Sequence, residues 1–384
     1  MTSQWDGGAG GGVLIPGADP GCRSRVGGLV DCAAVADSKD VAPTLERFIA
    51  ELPKVELHVH LVGSASVSTV LELARRHPDG GVPTDEQALV DFYAFTDFAH
   101  FIEVYIAVNS LVRTAEDVEA MAVGVLGDIA EQNVRYVELT VTPDAHLLMG
   151  IEPDGVAEAF VRARAAARER CGLEVGWVID IPGENGVASG ERTVEWVEHW
   201  APEGCVGFGI GGPEIGVPRP PFADIFARAR ALGLASVPHA GETTGPQTIR
   251  DAIELLGAQR IGHGIAAAQD PTLMAELVER GIPLEVCPTS NIRTRAVPSL
   301  AEHPWPTLVD AGVTVTLNSD DPGMFDTTLL DEYRVAHEVF GVSAAGLADL
   351  ARTAVRVSYA PDAVKARTLA EIDAFVAGHP LTAR

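Results

Sequence analysis

Short apolar runs recur along the chain and alternate with longer stretches of helical period. Eight of these runs are mostly apolar and often β-branched, which is typical of strands buried on both faces of a parallel sheet. The predicted strands are Val55–Leu61, Val134–Val141, Glu174–Ile181, Cys205–Gly212, Ala235–Glu242, Arg260–Ile265, Pro283–Pro288 and Thr314–Asp321. Helices are predicted between them, among them Ser66–His77, Asp154–Cys171, Pro220–Leu232, Pro246–Leu256 and Pro271–Arg280. Eight strand–helix alternations predict an α/β fold, a single (β/α)8 barrel of the TIM type.

Three further segments complete the predicted organisation. A helical stretch over about 84–132 separates the first two strands and is expected to cap the mouth of the barrel. The chain after about Thr327 is predicted to form the last barrel helix and terminal packing helices. Residues 1–44 are rich in glycine and show no sustained period, which predicts a flexible extension ahead of a hydrolase domain at 45–384.

Composition narrows the classes of partner. The 384 residues carry 54 acidic and 28 basic side chains, a formal net charge of −26, which disfavours docking on nucleic acid or anionic membranes. The expected partner is a small molecule, and the oligomeric state is left open. Five scattered cysteines without C-x-x-C spacing, no apolar run long enough to span a bilayer and no signal-peptide pattern predict a cytoplasmic location.

Polar residues stand where the predicted strands end, which is where barrel enzymes carry their catalytic groups. The first strand ends with His58 and His60, whose spacing places both imidazoles on one face. His239, His263 and Asp320 follow at the ends of later strands. Each alone could be structural, but so many buried ionisable groups at one mouth are costly unless a metal compensates them.

The predicted ligands are three imidazoles and one carboxylate, a set that suits one Zn²⁺ per subunit with room for water: His58, His60, His239 and Asp320. Such a metal would lower the pKa of a bound water toward neutrality. His263 is then the candidate base or electrostatic clamp on that water. Glu242 is the expected proton shuttle, which requires a raised pKa, and Asp321 is a hydrogen-bonding group for the substrate.

Other motifs are discounted. The glycines at 207–212 satisfy G-x-G-x-x-G, but a Pro-rich segment follows instead of a helix, so they are expected to admit a ligand close to the backbone. The only lysines are Lys39, Lys54 and Lys365, which excludes a P-loop. Cys287 is interpreted as a buried small hydrophobe rather than a nucleophile.

The ordered motifs resemble the adenosine deaminase family of metal-dependent barrel hydrolases between about residues 52 and 360. They are LPKVELHVHL from Leu52, GGPE at 211–214, HAGE at 239–242, GHG at 262–264, CPTSN at 287–291 and NSDDP at 318–322. The resemblance implies the same zinc ligands, Glu242 as proton donor to purine N1 and His263 beside the attacking hydroxide. It also implies that Asp321 and the Gly212 N–H contact N7 and N3, with His60 adjoining the substrate. The implied reaction replaces a 6-amino group by oxygen and releases ammonia.

One position departs from that pattern. Adenosine deaminases carry Asp, and adenine-specific relatives tend to carry Glu, where this chain has Val62. The surrounding segments look most like the branch of bacterial aminodeoxyfutalosine deaminases, which implies 6-amino-6-deoxyfutalosine, a 5′-modified adenosine of menaquinone biosynthesis, as substrate. Arg219 and Arg293 are candidate partners for the carboxylate that this substrate carries.

Three alternatives stay open from sequence. The first is an ordinary adenosine or adenine deaminase of purine salvage, with the loss at Val62 compensated elsewhere. The second is a binding protein that has lost catalysis, although every expected metal, acid and base position is retained. The third is a two-metal hydrolase, which the absence of a lysine between Lys54 and Lys365 disfavours.

Overall fold

The computed structural model describes residues 44–94 and 98–382. The extension predicted over residues 1–44 lies outside these ranges except for its last residue, so its boundary and flexibility stay predictions. Within the described ranges, no helix combines the length and the apolar character that crossing a membrane would require.

Parallel strands form the centre of the described chain. They are β1 (Lys54–His60), β2 (Val134–Val141), β3 (Glu174–Pro182), β4 (Cys205–Gly211), β5 (Ala235–Ser236), β6 (His239–Ala240), β7 (Ile261–His263), β8 (Leu284–Val286) and β9 (Val315–Leu317). Strands β1 to β5 pair in sequence order, and so do β6 to β9. Each of the eight predicted strands is found, although the later four are shorter than predicted.

Two backbone hydrogen bonds between β1 and Asp320, which follows β9, close the two sets of strands into a barrel. The His60 N–H donates to the Asp320 carbonyl over 2.8 Å, and the Asp320 N–H donates to the His58 carbonyl over 3.1 Å. The predicted fifth strand is divided into β5 and β6 because Pro238 has no N–H to donate. The Pro238 carbonyl still accepts from the Gly262 N–H over 3.0 Å. The predicted (β/α)8 barrel is therefore confirmed.

Helices surround the strands and cap their ends. They are α1 (Leu45–Glu51), α2 (Val67–Arg76), α3 (Glu86–Phe92), α4 (Phe98–Asn109), α5 (Ala115–Glu131), α6 (Pro143–Leu148), α7 (Pro153–Cys171), α8 (Gly186–Trp200), α9 (Ala223–Ala231), α10 (Pro246–Glu254), α11 (Pro271–Arg280), α12 (Pro288–Arg293), α13 (Trp305–Asp310), α14 (Pro322–Phe325), α15 (Leu329–Glu338), α16 (Ala344–Val357) and α17 (Asp362–Gly378).

The predicted helical stretch over 84–132 contains α3, α4 and α5. Helix α5 begins as a separate helix because Thr114 and Asp117 form a reciprocal capping box, in which each side chain accepts from the other's backbone N–H. Helix α4 lies at the barrel mouth, where Phe101 packs on Phe325 of α14 with ring centroids 5.0 Å apart. The expectation that this stretch caps the mouth is confirmed.

The two faces of β1 show how the core is divided. Val55, Leu57 and Val59 are buried and apolar, and they alternate with polar residues that include His58 and His60. Side chains of period two point to opposite faces, so the apolar set packs toward the helices and the polar set faces the barrel interior. The interior at the carboxyl ends of the strands is therefore unusually polar.

Candidate metal and catalytic site

The four predicted ligands converge at the carboxyl ends of the strands. His58 and His60 lie on β1, His239 opens β6, and Asp320 follows β9. One possible ligand atom from each lies within 4.8 Å of the others. The His58 and His239 ring centroids are 4.5 Å apart. Residues separated by more than 260 positions in sequence therefore share one small volume.

Atoms without hydrogen-bond partners indicate what belongs in this volume. His58 Nε2, His60 Nε2, His239 Nδ1 and Asp320 Oδ1 are all buried and make no hydrogen bond, although Asp320 Oδ1 lies 2.9 Å from His60 Nδ1. Buried polar atoms are costly when unpaired, so four in one place call for a shared ligand. Imidazole nitrogens and a carboxylate oxygen are donors that Zn²⁺ and similar divalent ions accept. The residues present therefore fit a divalent metal ion.

The protonation of the histidines fits the same interpretation. Burial lowers the pKa of His239 well below its usual range, which leaves a neutral imidazole able to coordinate. Burial opposes charge on His58 too, but the carboxylates of Asp320 and Glu285 outweigh it and raise its pKa to about 9. A cation in the cluster would replace that proton, because metal ligation requires neutral histidine.

Strained backbone marks two of the site residues. His263 has φ +59° and Asp320 has φ +67°, values in the left-handed region that side chains other than glycine seldom adopt. Such conformations cost on the order of 1–3 kcal/mol and persist where surrounding contacts over-determine them. Ser290 supplies one such contact, since its hydroxyl donates to Asp320 Oδ2 over 2.5 Å.

A buried charge network supports His58 from behind. His58 Nδ1 lies 2.8 Å from Glu285 Oε2, which orients the ring with Nε2 toward the cluster. Glu285 is paired in turn with the Arg260 guanidinium, which also binds Glu138 and the Val357 carbonyl. Arg260 lies over the Tyr359 ring, 4.4 Å from its centroid. Hereafter these groups are called the Arg260 network.

The predicted proton shuttle, Glu242, lies beside the cluster. Its Oε1 accepts from the Thr294 hydroxyl over 2.8 Å, and its Oε2 lies 3.7 Å from His263 Nε2. Burial, followed by the charge of Asp320, raises the pKa of Glu242 to about 8. The carboxyl is therefore protonated near neutral pH, as a proton donor requires.

Glu214 positions the loop that carries Glu242. Its carboxylate accepts from the backbone N–H groups of residues 241–244, at 2.6, 2.8, 2.6 and 3.2 Å. Sequence reasoning quoted Glu214 only as part of a family motif. Its partners lie 27 to 30 positions away and are backbone groups, so no side-chain pattern could identify them.

Arg219 does not lie free at the mouth, and its prediction as a substrate contact was wrong. Its side chain is 0% exposed and donates twice to the His239 carbonyl, at 3.0 and 2.8 Å. A third bond goes to the Val217 carbonyl over 2.9 Å. Arg219 thus holds the backbone of His239. Arg293 is exposed at the end of α12, and its role stays a prediction.

His263 faces the same space as Glu242. Its Nε2 lies 3.7 Å from Glu242 Oε2 and 3.7 Å from Asp320 Oδ2. Burial lowers its pKa to about 4, so the ring is neutral near pH 7.

Cys287 lies close to His263 and Asp320, but burial raises the pKa of its thiol well above the usual range. The interpretation of Cys287 as a buried small side chain agrees with its 0% exposure.

The predicted substrate contacts flank the cluster. Asp321 is buried, its Oδ1 has no hydrogen-bond partner, and it lies 3.5 Å from His60 Nδ1. Gly63 makes this position possible, because a Cβ there would come within 1.7 Å of Asp321 Oδ1. Gly212 is exposed at the end of β4 with φ +76°, and a Cβ there would meet Glu184.

The other glycines of the G-x-G-x-x-G run leave room for side chains of the neighbouring strand β3. A Cβ on Gly209 or Gly211 would lie 2.6 Å from a carboxylate oxygen of Asp180 on β3. A Cβ on Gly207 would lie 3.1 Å from Val178 of the same strand. The expectation that these glycines also admit a ligand close to the backbone stays a prediction, and no helix follows them directly.

A cavity of about 610 Å³ opens beside Glu242. Its walls include Ile265, Val297 and His303, so it lies on the β7 and α13 side of the carboxyl. This volume is in the range of small-molecule sites.

Comparisons with known proteins agree with this geometry. Residues 53–375 match the model of the adenosine deaminase family. The chain therefore belongs to the adenosine deaminase family. An aminodeoxyfutalosine deaminase of Streptomyces avermitilis is 55% identical over 335 residues, which cover 87% of this chain and 94% of that protein. As a member of this family, the protein is a metal-dependent hydrolase that deaminates a purine by hydrolysing a C–N bond.

Two solved structures share the fold. The adenine deaminase of Arthrobacter aurescens has a TM-score of 0.79 and 31% identity, covering 85% of this chain and all of that one. An amidohydrolase from Burkholderia ambifaria with bound Zn has a TM-score of 0.78 and 25% identity, covering 89% of this chain and 97% of that one.

Proposed function

We propose that this family member is a zinc-dependent nucleoside deaminase whose preferred substrate is 6-amino-6-deoxyfutalosine, a 5′-modified adenosine of menaquinone biosynthesis. The reaction would exchange the 6-amino group for oxygen from water and release ammonia. The observation that carries the reaction is the cluster of four buried ligand atoms that make no hydrogen bond, beside Glu242, whose pKa is raised by burial to about 8. The cytoplasmic location belongs to the same proposal.

The proposed ligands of the ion are His58, His60, His239 and Asp320. When bound, the ion supplies a water whose pKa is lowered toward neutrality. Glu242 gives its proton to purine N1, which draws electrons from C6 and makes that carbon more electrophilic. Thr294 holds the same carboxyl through Oε1, leaving Oε2 directed to the interior. The Asp321 carboxyl, whose pKa burial raises, donates to N7 when it is protonated. Gly212 donates its N–H to N3, and His60 adjoins the substrate.

Val62 supports the 5′-modified substrate. It lies two residues after His60 and is 7% exposed, so an apolar side chain occupies the position where adenosine deaminases carry Asp. A missing charge-assisted hydrogen bond to ribose costs about 1.5–3 kcal/mol of binding. The 55% identical relative is an aminodeoxyfutalosine deaminase, which favours the same substrate class.

The decisive experiment is a substrate panel read by the ultraviolet change from adenine to hypoxanthine. We expect kcat/KM to be highest for aminodeoxyfutalosine, lower for adenosine and lowest for free adenine. A preference for adenosine, or for adenine as in the Arthrobacter aurescens relative, would replace the proposed substrate by that alternative. Absence of turnover on every 6-aminopurine by the metal-loaded protein would overturn the deaminase assignment.

Val62→Asp is the matched variant for this panel. We expect it to raise kcat/KM for adenosine about 10- to 100-fold, the equivalent of the restored hydrogen bond. Val62→Asn, similar in size but uncharged, should raise it less. Unchanged adenosine turnover in both variants would mean that residue 62 does not set specificity.

A further inference from the structure

A chain of hydrogen bonds runs from a backbone amide to His263. The Trp305 N–H donates to His303 Nδ1 over 3.1 Å, and His303 Nε2 lies 3.1 Å from Asn291 Oδ1. Asn291 Nδ2 lies 3.2 Å from His263 Nδ1. His303, Asn291 and His263 are 3%, 0% and 1% exposed, so all three side chains are buried, and His303 also borders the cavity beside Glu242. None of these links contains a predicted metal ligand.

The direction of every bond in this chain follows from its first member. A backbone N–H can only donate, so His303 Nδ1 must be an acceptor without a proton. The proton of neutral His303 is then on Nε2, which donates to Asn291 Oδ1. The opposite end of that amide is a donor, so Nδ2 donates to His263 Nδ1. The proton of His263 is consequently on Nε2, the nitrogen 3.7 Å from Glu242 Oε2.

Packing keeps the chain in one arrangement. The Phe340 ring lies 5.5 Å from the Trp305 ring, nearly parallel to it at 9°, and 5.5 Å from the His303 ring. Asn291 is held within α12, where its N–H donates to the Cys287 carbonyl over 3.0 Å. Rotation of the amide would put two donors against each other at His303 Nε2, which the buried setting penalises.

We propose that His303 and Asn291 are positioning residues that keep His263 in the tautomer with its proton on Nε2. His263 then donates a hydrogen bond to the oxygen that adds to the purine, and it does not accept a proton from that oxygen while neutral. A fixed donor of this kind stabilises negative charge that develops in the transition state. This inference rests on the proposed deaminase function and selects between the two roles predicted for His263.

The direct test is ¹⁵N NMR of the full-length, metal-loaded protein labelled in its histidine rings. The His263 signals are assigned by their loss in His263→Gln. We expect Nε2 to carry the proton and Nδ1 to show the shift of an unprotonated acceptor. A proton on Nδ1 in the wild-type protein would overturn the proposal.

Asn291→Leu removes the donor while keeping the size of the side chain. We expect both His263 tautomers to appear in the ¹⁵N spectrum and kcat to fall about 10-fold or more, with KM within about threefold of wild type. His303→Gln keeps an N–H that can reach Asn291, so it should preserve the wild-type spectrum and most of kcat. A fall in kcat with an unchanged His263 spectrum would reduce Asn291 to a packing role.

The two readouts separate this inference from the proposed function. The ring spectrum needs no substrate, so it reports the tautomer even if no 6-aminopurine is turned over. Failure of the substrate panel with the expected spectrum would reject the function and keep the tautomer. If Asn291→Leu does not fold, the wild-type spectrum and His303→Gln still decide the question.

Discussion

Two groups of buried polar side chains meet at His58 and differ in how well they satisfy one another. In the Arg260 network the guanidinium pairs with Glu138 and Glu285, and Glu138 accepts from the Tyr359 N–H over 2.5 Å. In the adjoining cluster, His60, His239 and Asp320 each have a buried side-chain atom that makes no hydrogen bond. One group is complete within the protein, and the other requires a ligand to become complete.

The difference separates a structural role from a functional one. Buried charges that are fully paired need no further group. Removing one partner leaves the remaining charges buried without compensation, which is strongly destabilising. A cluster with missing partners is costly to fold unless something binds there. Both groups consist of ionisable side chains that are largely buried, so the state of their hydrogen bonds distinguishes the candidate metal site from the scaffold.

The largest expected effect comes from His239→Leu. The substitution removes one proposed ligand, so metal content should fall to background and kcat/KM should fall at least about 1000-fold, corresponding to about 4 kcal/mol. His239 makes no hydrogen bond through its ring Nδ1. The free energy of unfolding of the metal-free protein should therefore change by less than about 1 kcal/mol.

Metal analysis, the deamination assay and urea unfolding of the chelator-treated protein measure these three quantities. In wild type, adding metal should raise the unfolding midpoint, whereas in His239→Leu it should not. Full metal occupancy in this variant would remove His239 from the ligand set.

Arg260→Met should instead lower the free energy of unfolding. It leaves Glu138 and Glu285 buried without their cation, which costs about 3–5 kcal/mol of unfolding free energy whether or not metal is bound. Arg250→Met is the control, because Arg250 also pairs with two carboxylates, at 2.7 and 2.9 Å, but its side chain is 29% exposed. Its loss should cost at most about 1 kcal/mol. Equal losses in the two variants would show that burial does not distinguish these pairs.

The smallest effect concerns pH. Burial raises the pKa of Glu242 to about 8, so the proton that this carboxyl donates is present below that value and is lost above it. We expect kcat/KM to decline as pH rises through about 8 and to approach a tenfold fall per unit beyond it. Glu242→Gln should have low residual activity without this decline. A profile that stays flat to pH 10 in wild type would exclude Glu242 as the acid.

Several features of the site were within reach of sequence reasoning. His58 and His60 are two apart at the end of an apolar run, which predicts that both face the barrel interior. His239, Glu242 and Asp320 follow other runs of the same kind, and a barrel gathers all strand ends at one mouth. These predictions needed only the period of the strands and the topology.

The supporting residues lay beyond that reach. Glu214 binds backbone N–H groups, Asn291 lies within hydrogen-bond distance of His303, and Asp321 at the end of a neighbouring strand requires a glycine at Gly63. Arg219 was wrongly predicted to contact the substrate for the same reason. Its partner is a backbone carbonyl, and every residue has one, so the pattern of side chains does not identify it.

By itself, then, the sequence determined the order of strands and helices, the set of candidate site side chains and the end of the barrel where they gather. Only the tertiary structure decided which polar atoms make hydrogen bonds, which groups lie against each histidine nitrogen and which arginine is buried. The physical reason is that periodicity sets the face on which a side chain lies, whereas hydrogen-bond partners depend on distances between segments far apart in the chain.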